Sequence, residues 1–318
     1  MKWLTQLGSN NIFLYTLTVL IWGSTWLFIN FQLGKVPAEV SVIYRYAIAS
    51  FVLFTWCWAR GLSVHFKFKS HVLFMLLGML LFGINYIGSY NAQHFIPSAL
   101  NAVVFSTMMW MNIINTRLFF GTKIEPRVWQ GALLGMVGII VLFWPALSSL
   151  GTSGAMLTGV ALSLIGALAA SLGNMVSHRA QGRSLPIIQS NAWGMLYGTI
   201  FTAVFAWSRG LNFVFDWSFA YVGSLLYLAI VGSVIAFGCY LKLVGTIGPH
   251  KAVYSVIMFP VVAIILSIVF EGLEITLDLI AGVVLVLAGN LLILGGSRTS
   301  VSGKKSMKLK LRRSRQLS

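Results

Sequence analysis

The chain has 318 residues, 58 % of them hydrophobic and only 9 % charged, and it carries a formal net charge of +16. A water-soluble domain of this length could not cover so much apolar surface, so the implied solvent is lipid. The apolar runs are continuous rather than alternating, which specifies helices and excludes a membrane barrel.

A membrane-spanning helix needs ~20 predominantly apolar residues. In chain order the stretches that meet this are 13–33, 39–59, 71–90, 97–119, 127–145, 155–177, 186–207, 219–241, 249–270 and 276–296. Lys2 is the only charge before the first run and no small-residue cleavage site follows it, so the run is expected to stay as the first span. Connections between spans are short and leave no room for an inserted soluble domain. Residues 297–318 form a Ser/Lys/Arg tail without apolar periodicity, expected to be disordered. Cys57 and Cys239 fall inside apolar runs and are expected to pack there, with no disulfide, metal or other cofactor.

Charge placement fixes the expected orientation. With both termini cytoplasmic, the inner loops and tail hold all but Lys35, Arg45 and Arg209 of the 22 basic residues. Five of the six acids, Glu39, Asp216, Glu271, Glu274 and Asp278, then fall outside. The net charge is therefore read as a topology signal of a multi-pass cell (inner) membrane protein, and nucleic acid is excluded as a partner. The expected partners are the lipid bilayer and a small-molecule substrate. The Lys304–Arg315 cluster could also meet anionic lipid.

The chain repeats itself. Phe74–Leu142 and Val222–Leu294 share an order of elements, with Asn101-Ala102-Val103 lying over Lys251-Ala252-Val253, Met108 over Met258 and Phe120 over Phe270. After a one-residue insertion, Gly131, Leu134 and Gly138 lie over Gly282, Leu285 and Gly289. Five spans per half is an odd number, so the second half must enter the membrane upside down. The predicted fold is thus all-α and integral to the membrane, with ten transmembrane helices as two inverted five-helix repeats. The first repeat covers 12–145 (spans 1–5) and the second 155–296 (spans 6–10). This is an arrangement of secondary transporters, whose site lies near the midplane between the repeats.

The segments "LIWGSTWLFIN" in span 1 and "PAEVSVIYRYAIA" opening span 2, with the duplicated loop-and-helix patterns, resemble the EamA-like family of the drug/metabolite transporter superfamily. The resemblance covers roughly residues 12–295. It implies export of amino acids or related small polar metabolites by alternating access, with uptake or exchange of a nucleotide-like or other metabolite as the alternative. One departure is that family members often carry Gly-Glu after span 4, where this chain has Gly121-Thr122. An integral-membrane enzyme would need clustered His, Asp or Glu near one face, and none is evident.

Polar residues inside a span generally face the protein interior or a wet cavity. At ~100° per residue, span 1 aligns Tyr15, Thr18, Trp22, Thr25/Trp26 and Ile29. Span 3 aligns Tyr86, Tyr90 and Gln93, with Asn85 and Ser89 beside them. Span 4 aligns Asn101, Phe105, Met108, Asn112 and Asn115; span 9 aligns Lys251, Ser255, Met258 and Val262; span 7 offers Ser190, Trp193 and Tyr197. These stripes could line an aromatic-walled cavity. They could equally be interhelical packing glue. Trp3, Trp56, Trp58, Trp129, Trp144, Trp207 and Trp217, near span ends, read as interfacial anchors.

Arg45 is the sharpest candidate, about six residues inside span 2 and so ~9 Å below its outer end. It could present a fixed cation to a substrate carboxylate or bridge helices as a gate. It could instead snorkel to headgroups or to Glu39. No acid lies mid-span, which favours a facilitator or exchanger over a proton antiporter. Gly159, Gly166 and Gly173, and the pair Gly131/Gly135, predict close helix packing. Pro260 should bend span 9.

Overall fold

The computed structural model describes residues 11–121, 126–142, 144, 153–240 and 254–292. They form ten helices: α1 Asn11–Asn30, α2 Ala38–Ala59, α3 Phe68–Ala92, α4 Ser98–Phe120, α5 Pro126–Leu142, α6 Ser153–Gly182, α7 Ile187–Ser208, α8 Phe219–Tyr240, α9 Tyr254–Phe270 and α10 Leu277–Leu292. The predicted tail, Trp3 and Lys251 lie outside the described residues.

Local chemistry sets several of these ends. Pro37, Pro97 and Pro186 immediately precede α2, α4 and α7. Proline lacks an N–H, which the first turn of a helix could not have satisfied internally. Gly121 closes α4 in the left-handed region, φ 69°, with its N–H on Arg117 O at 2.9 Å.

Short connections make successive helices antiparallel. We name the two membrane faces after the loops that mark them: the Lys35 face, between α1 and α2, and the Arg60 face, between α2 and α3. The odd helices run towards the Lys35 face and the even ones away from it. α6 therefore starts where α1 ends, which is the inversion.

The packing obeys the duplication. α2 packs on α7, α4 on α9 and α5 on α10, so each of these helices meets its own counterpart. Several further contacts come in exchanged pairs. α1 meets α9 as α6 meets α4, α3 meets α6 as α8 meets α1, and α3 meets α7 as α8 meets α2.

Lipid provides no hydrophobic drive between helices, so close van der Waals approach has to hold them together. The glycines supply it. A Cβ at Gly138 would stand 2.8 Å from Gly282 O, and one at Gly289 would stand 2.5 Å from Gly131 O. Gly159, Gly166 and Gly173 lay α6 on α3 in the same way, with Gly173 against Leu81 and Gly166 against Asn85. The outward tryptophans Trp56, Trp58, Trp129, Trp144, Trp207 and Trp217 are all exposed, as interfacial anchors would be.

Two features depart from regular α-helix. Gly78–Ile84 in α3 and Tyr227–Ile235 in α8 are π-helical. Shifting the first by 150 positions, the offset that lays Asn101 on Lys251, places it inside the second. Side chains collect the displaced carbonyls: Asn85 Nδ2 donates to Leu81 O at 3.0 Å, and Ser233 Oγ to Leu228 O at 2.9 Å. π segments inside α-helices are frequent at functional sites. α4, expected to be continuous, is interrupted at Ser106–Thr107. There the N–H groups of Ser106, Thr107, Met109 and Trp110 reach carbonyls three residues back. Asn290 of α10 clamps the break, donating to Ser106 Oγ (3.3 Å) and accepting from Trp110 Nε1 (3.1 Å).

Candidate functional site

A cavity of about 120 Å³ lies between the two repeats, against the π segment of α3 and the part of α8 that follows its own. Helices α1, α3 and α4 of the first repeat and α6, α8 and α9 of the second wall it. The wall is mainly aromatic: Trp22, Trp26, Tyr86, Phe105, Phe237, Tyr240 and Phe259. Trp22 lies 5.4 Å from Phe237 and 5.0 Å from Tyr240, and Trp26 lies 5.3 Å from Phe105, centroid to centroid. Polar groups are few: Thr25, Asn85, Ser89 and Asn174.

Of the sequence candidates, Trp22, Thr25, Tyr86 and Met108 come together on this wall. Arg45 does not snorkel. It is 1 % exposed, and its Nε donates to Ser233 Oγ (3.1 Å) while an Nη donates to Tyr90 OH (3.3 Å). Its guanidinium also lies 4.6 Å over the Tyr86 ring and 5.3 Å over that of Tyr46. Glu39 instead accepts from Asn91 Nδ2 at 3.2 Å. Among the described residues no carboxylate lies within ion-pair reach of Arg45.

Arg45 thus joins α2, α3 and α8 one layer behind the cavity. Gly232 marks the seam: a Cβ there would stand 2.8 Å from Thr25 Cγ2 and 3.5 Å from Arg45 Nη2. A charge this close to a low-dielectric cavity acts on its contents with little screening.

Other candidates lie elsewhere. Tyr90 is buried behind Tyr86 as the partner of Arg45. Asn101 is buried; its Nδ2 donates to Ser89 O at 2.8 Å, and its Oδ1 has no hydrogen-bond partner among the described residues. Asn112 accepts from Asn174 Nδ2 at 3.3 Å, beyond Met108 towards the Arg60 face. Ser255 is buried on α9.

Two stripes are corrected. Trp193 and Tyr197 were expected on the cavity but lie off it: Tyr197 OH meets His71 Nδ1 of α3 at 2.9 Å, and Trp193 Nε1 donates to Val64 O of the α2–α3 loop at 3.0 Å. Met258 is 41 % exposed and off the cavity, and Phe259 takes the inward position. A stripe fixes which residues share a face, not which face turns inward; one residue of rotation moves α9 from Met258 to Phe259.

Sequence reasoning missed Asn174, Phe237, Tyr240 and Ser233. Asn174 had a signal, an amide within an apolar span. It also missed the polar ties that close the Lys35 end. There Glu271 accepts from Asn30 Nδ2, Ser98 Oγ (2.8 Å) and Ser267 Oγ, joining α1, α4 and α9. Gln32 donates to Tyr221 O (2.9 Å) and Ser224 Oγ (2.5 Å), and the Tyr221 and Ser41 hydroxyls hydrogen-bond to each other (2.9 Å).

Residues 10–144 and 157–295 each match the EamA-like transporter family. The chain belongs to the EamA-like transporter family. It is 24 % identical over 269 residues to a Bacillus subtilis (strain 168) protein named "Uncharacterized transporter YoaV", covering 84 % of this chain and 90 % of that one. It is 27 % identical over 250 residues to the Escherichia coli (strain K12) "Uncharacterized inner membrane transporter YedA", covering 78 % of each. A crystal structure superposes with a TM-score of 0.65 at 19 % identity, covering 89 % of this chain and 96 % of its own, which supports the fold. An EamA-like protein with ten helices in two inverted repeats is a transporter of multi-pass membrane type. A broken α4 and paired π segments around a central cavity fit that role, since irregular backbone at membrane depth is tolerated where it lines a cavity or is buried in protein.

Proposed function

We propose that this EamA-like protein is a secondary transporter exporting amino acids or related small polar metabolites by alternating access. Residues 12–145 and 155–296 act as the two moving units. The observation that carries the reading is the aromatic cavity shared by both repeats, with the Arg45 guanidinium behind Thr25 and Tyr86. Aromatic walls suit the apolar part of a metabolite. Thr25, Asn85, Ser89 and Asn174 suit its polar groups, and a buried cation without an acid partner among the described residues suits a carboxylate.

The described lining contains no carboxylate or imidazole, which supports uncoupled exchange rather than proton antiport. The protein is placed in the inner membrane with both termini cytoplasmic and the Lys304–Arg315 tail on anionic lipid. Reporters fused at Ser318 and in the 146–154 loop should then fall on opposite sides.

Counterflow tests the function. Protein reconstituted in liposomes loaded with an unlabelled amino-acid mixture should accumulate labelled amino acids without an imposed pH gradient. Exchange no faster than in protein-free liposomes would overturn the substrate class. Accumulation that needs the gradient would overturn the uncoupled mechanism.

A further inference from the structure

On the flank of the bundle, α2, α7 and α8 leave a crevice of about 300 Å³ that the transport cycle above does not use. Leu53 and Trp56 of α2, Ile188 and Asn191 of α7, and Ile235 and Gly238 of α8 contribute to its walls. Trp56, Ile188 and Ile235 are exposed at its rim, so it opens on the bilayer. An apolar crevice open to hydrocarbon does not stay empty, because its walls would forfeit their dispersion contacts. Water is a poor filler for so apolar a surface. An acyl chain is the material at hand.

One end of the crevice selects among lipids. Arg60 follows α2, and its guanidinium lies 4.7 Å over the Trp56 ring. At 1.5 Å per residue, Arg60 stands ~6 Å beyond Trp56 towards the polar phase. Stacking occupies the face of a guanidinium and leaves the N–H edge for an anion. No described side chain hydrogen-bonds that edge or pairs with it. Asn191, about one turn into α7, adds a polar group in the wall that makes no hydrogen bond among the described residues.

We propose that this crevice is a binding site for one anionic glycerophospholipid from the leaflet on the Arg60 face. An acyl chain lies along Leu53, Ile235 and Gly238, and the phosphate sits on Arg60. The site touches the transport machinery, because Phe237 lines both crevice and central cavity, and Ser233 in the crevice wall accepts from Arg45.

The test uses the full chain purified in detergent. The probes are phosphatidylglycerol and phosphatidylcholine bearing the same photoreactive acyl chain, with labelled peptides mapped by mass spectrometry. Phosphatidylglycerol should label the segments holding Trp56 and Ile235 about fivefold more than phosphatidylcholine, as one interfacial cation would provide. Arg60→Gln should bring the two lipids to the same level. Gly238→Leu should remove labelling by both, since a Cβ at Gly238 meets nothing within 4 Å and the new side chain would fill the crevice. Equal labelling by the two lipids in the native protein would overturn the proposal. So would a phosphatidylglycerol preference that survives Arg60→Gln, which would assign it to the basic tail, or crevice labelling that survives Gly238→Leu. Arg60 is exposed, so Arg60→Gln reads out even where Gly238→Leu lowers the yield.

Discussion

Replacing Arg45 with lysine keeps the charge and removes the fork. The guanidinium now makes two hydrogen bonds on different helices, to Ser233 Oγ and Tyr90 OH, while its face lies on Tyr86. A lysine ammonium reaching to the same depth can occupy one of these positions but cannot span them. Losing one hydrogen bond to a charged group costs about 1.5–3 kcal/mol, and the bond lost here also ties α2 to α8. At 1.4 kcal/mol per tenfold, flux through Arg45→Lys should fall by at least about tenfold. Arg45→Met separates fold from function. Removing the buried charge recovers its desolvation penalty, which offsets the roughly 1–3 kcal/mol cost of leaving the Tyr90 hydroxyl without this partner. Met should therefore melt near the native temperature yet transport no better than Lys. The assay is counterflow at matched folded amount, with thermal unfolding measured in parallel. Wild-type flux in Arg45→Lys would refute the reasoning and leave Arg45 as a packing residue. A collapse of folding in Arg45→Met would show that the cation holds the bundle together rather than serving the cavity.

Gly135→Ala would place a Cβ 2.0 Å from Trp110 Cζ2, and Trp110 is itself held by Asn290. Overpacking of this kind costs about 1–3 kcal/mol, so the variant should melt lower than the native protein; an unchanged melting temperature would show that Trp110 can move. Glu271→Gln exchanges a carboxylate that accepts from Asn30, Ser98 and Ser267 for a neutral amide. Charged hydrogen bonds exceed neutral ones by about 1 kcal/mol. A Thr25→Cys reporter, with Cys57 and Cys239 replaced by alanine, should thus react about fivefold faster with an impermeant reagent from the Lys35 face, and an unchanged rate would mean that Glu271 does not close that end. Asp216, in the α7–α8 loop, is held below the ordinary carboxylate range, first by the Ser218 backbone N–H, then by its hydroxyl and by Lys35 at 3.5 Å. A depressed carboxylate stabilises above its unfolded value of ~3.9 and stops doing so as pH falls through the lower folded one. The protection of residues 210–219 against hydrogen exchange, taken relative to the intrinsic rate at each pH, should hold steady from neutral pH to about pH 5 and fall only below about pH 4; a loss of protection centred near neutral pH would refute this.

The ten helices were legible because lipid forces each crossing to satisfy its own backbone, which makes it a continuous apolar run. The inversion was legible because five is odd. The break in α4 was not. Ser106 and Thr107 are unremarkable in a helix, and it takes Asn290, far along the chain, to clamp the turn they make. The π segments were equally silent, since a π turn is one extra residue within an apolar run that reads the same either way. The cavity was half legible. Trp22, Thr25, Tyr86 and Met108 were picked out because polar and aromatic groups interrupt apolar faces. Trp193 lies off the cavity because a polar-aromatic stripe also suits a helix packed through His71 and the Val64 carbonyl.

The Arg45 cluster also bears on how the chain is made. A lone arginine opposes membrane insertion by up to about 2.5–3.5 kcal/mol, the cost at a helix centre, and Arg45 lies about a third of the way into its helix. Tyr86 and Tyr90 emerge soon after it, but Ser233 follows 188 positions later. At about 5–20 residues per second of synthesis, α2 waits roughly 10–40 s for its last partner. During that interval the cation is only partly satisfied, and the second repeat completes the first. The two halves, alike in shape, are therefore not independent in assembly. A first repeat made alone would keep an unfinished charge in the bilayer, open to whichever helix, chaperone or protease reaches it first.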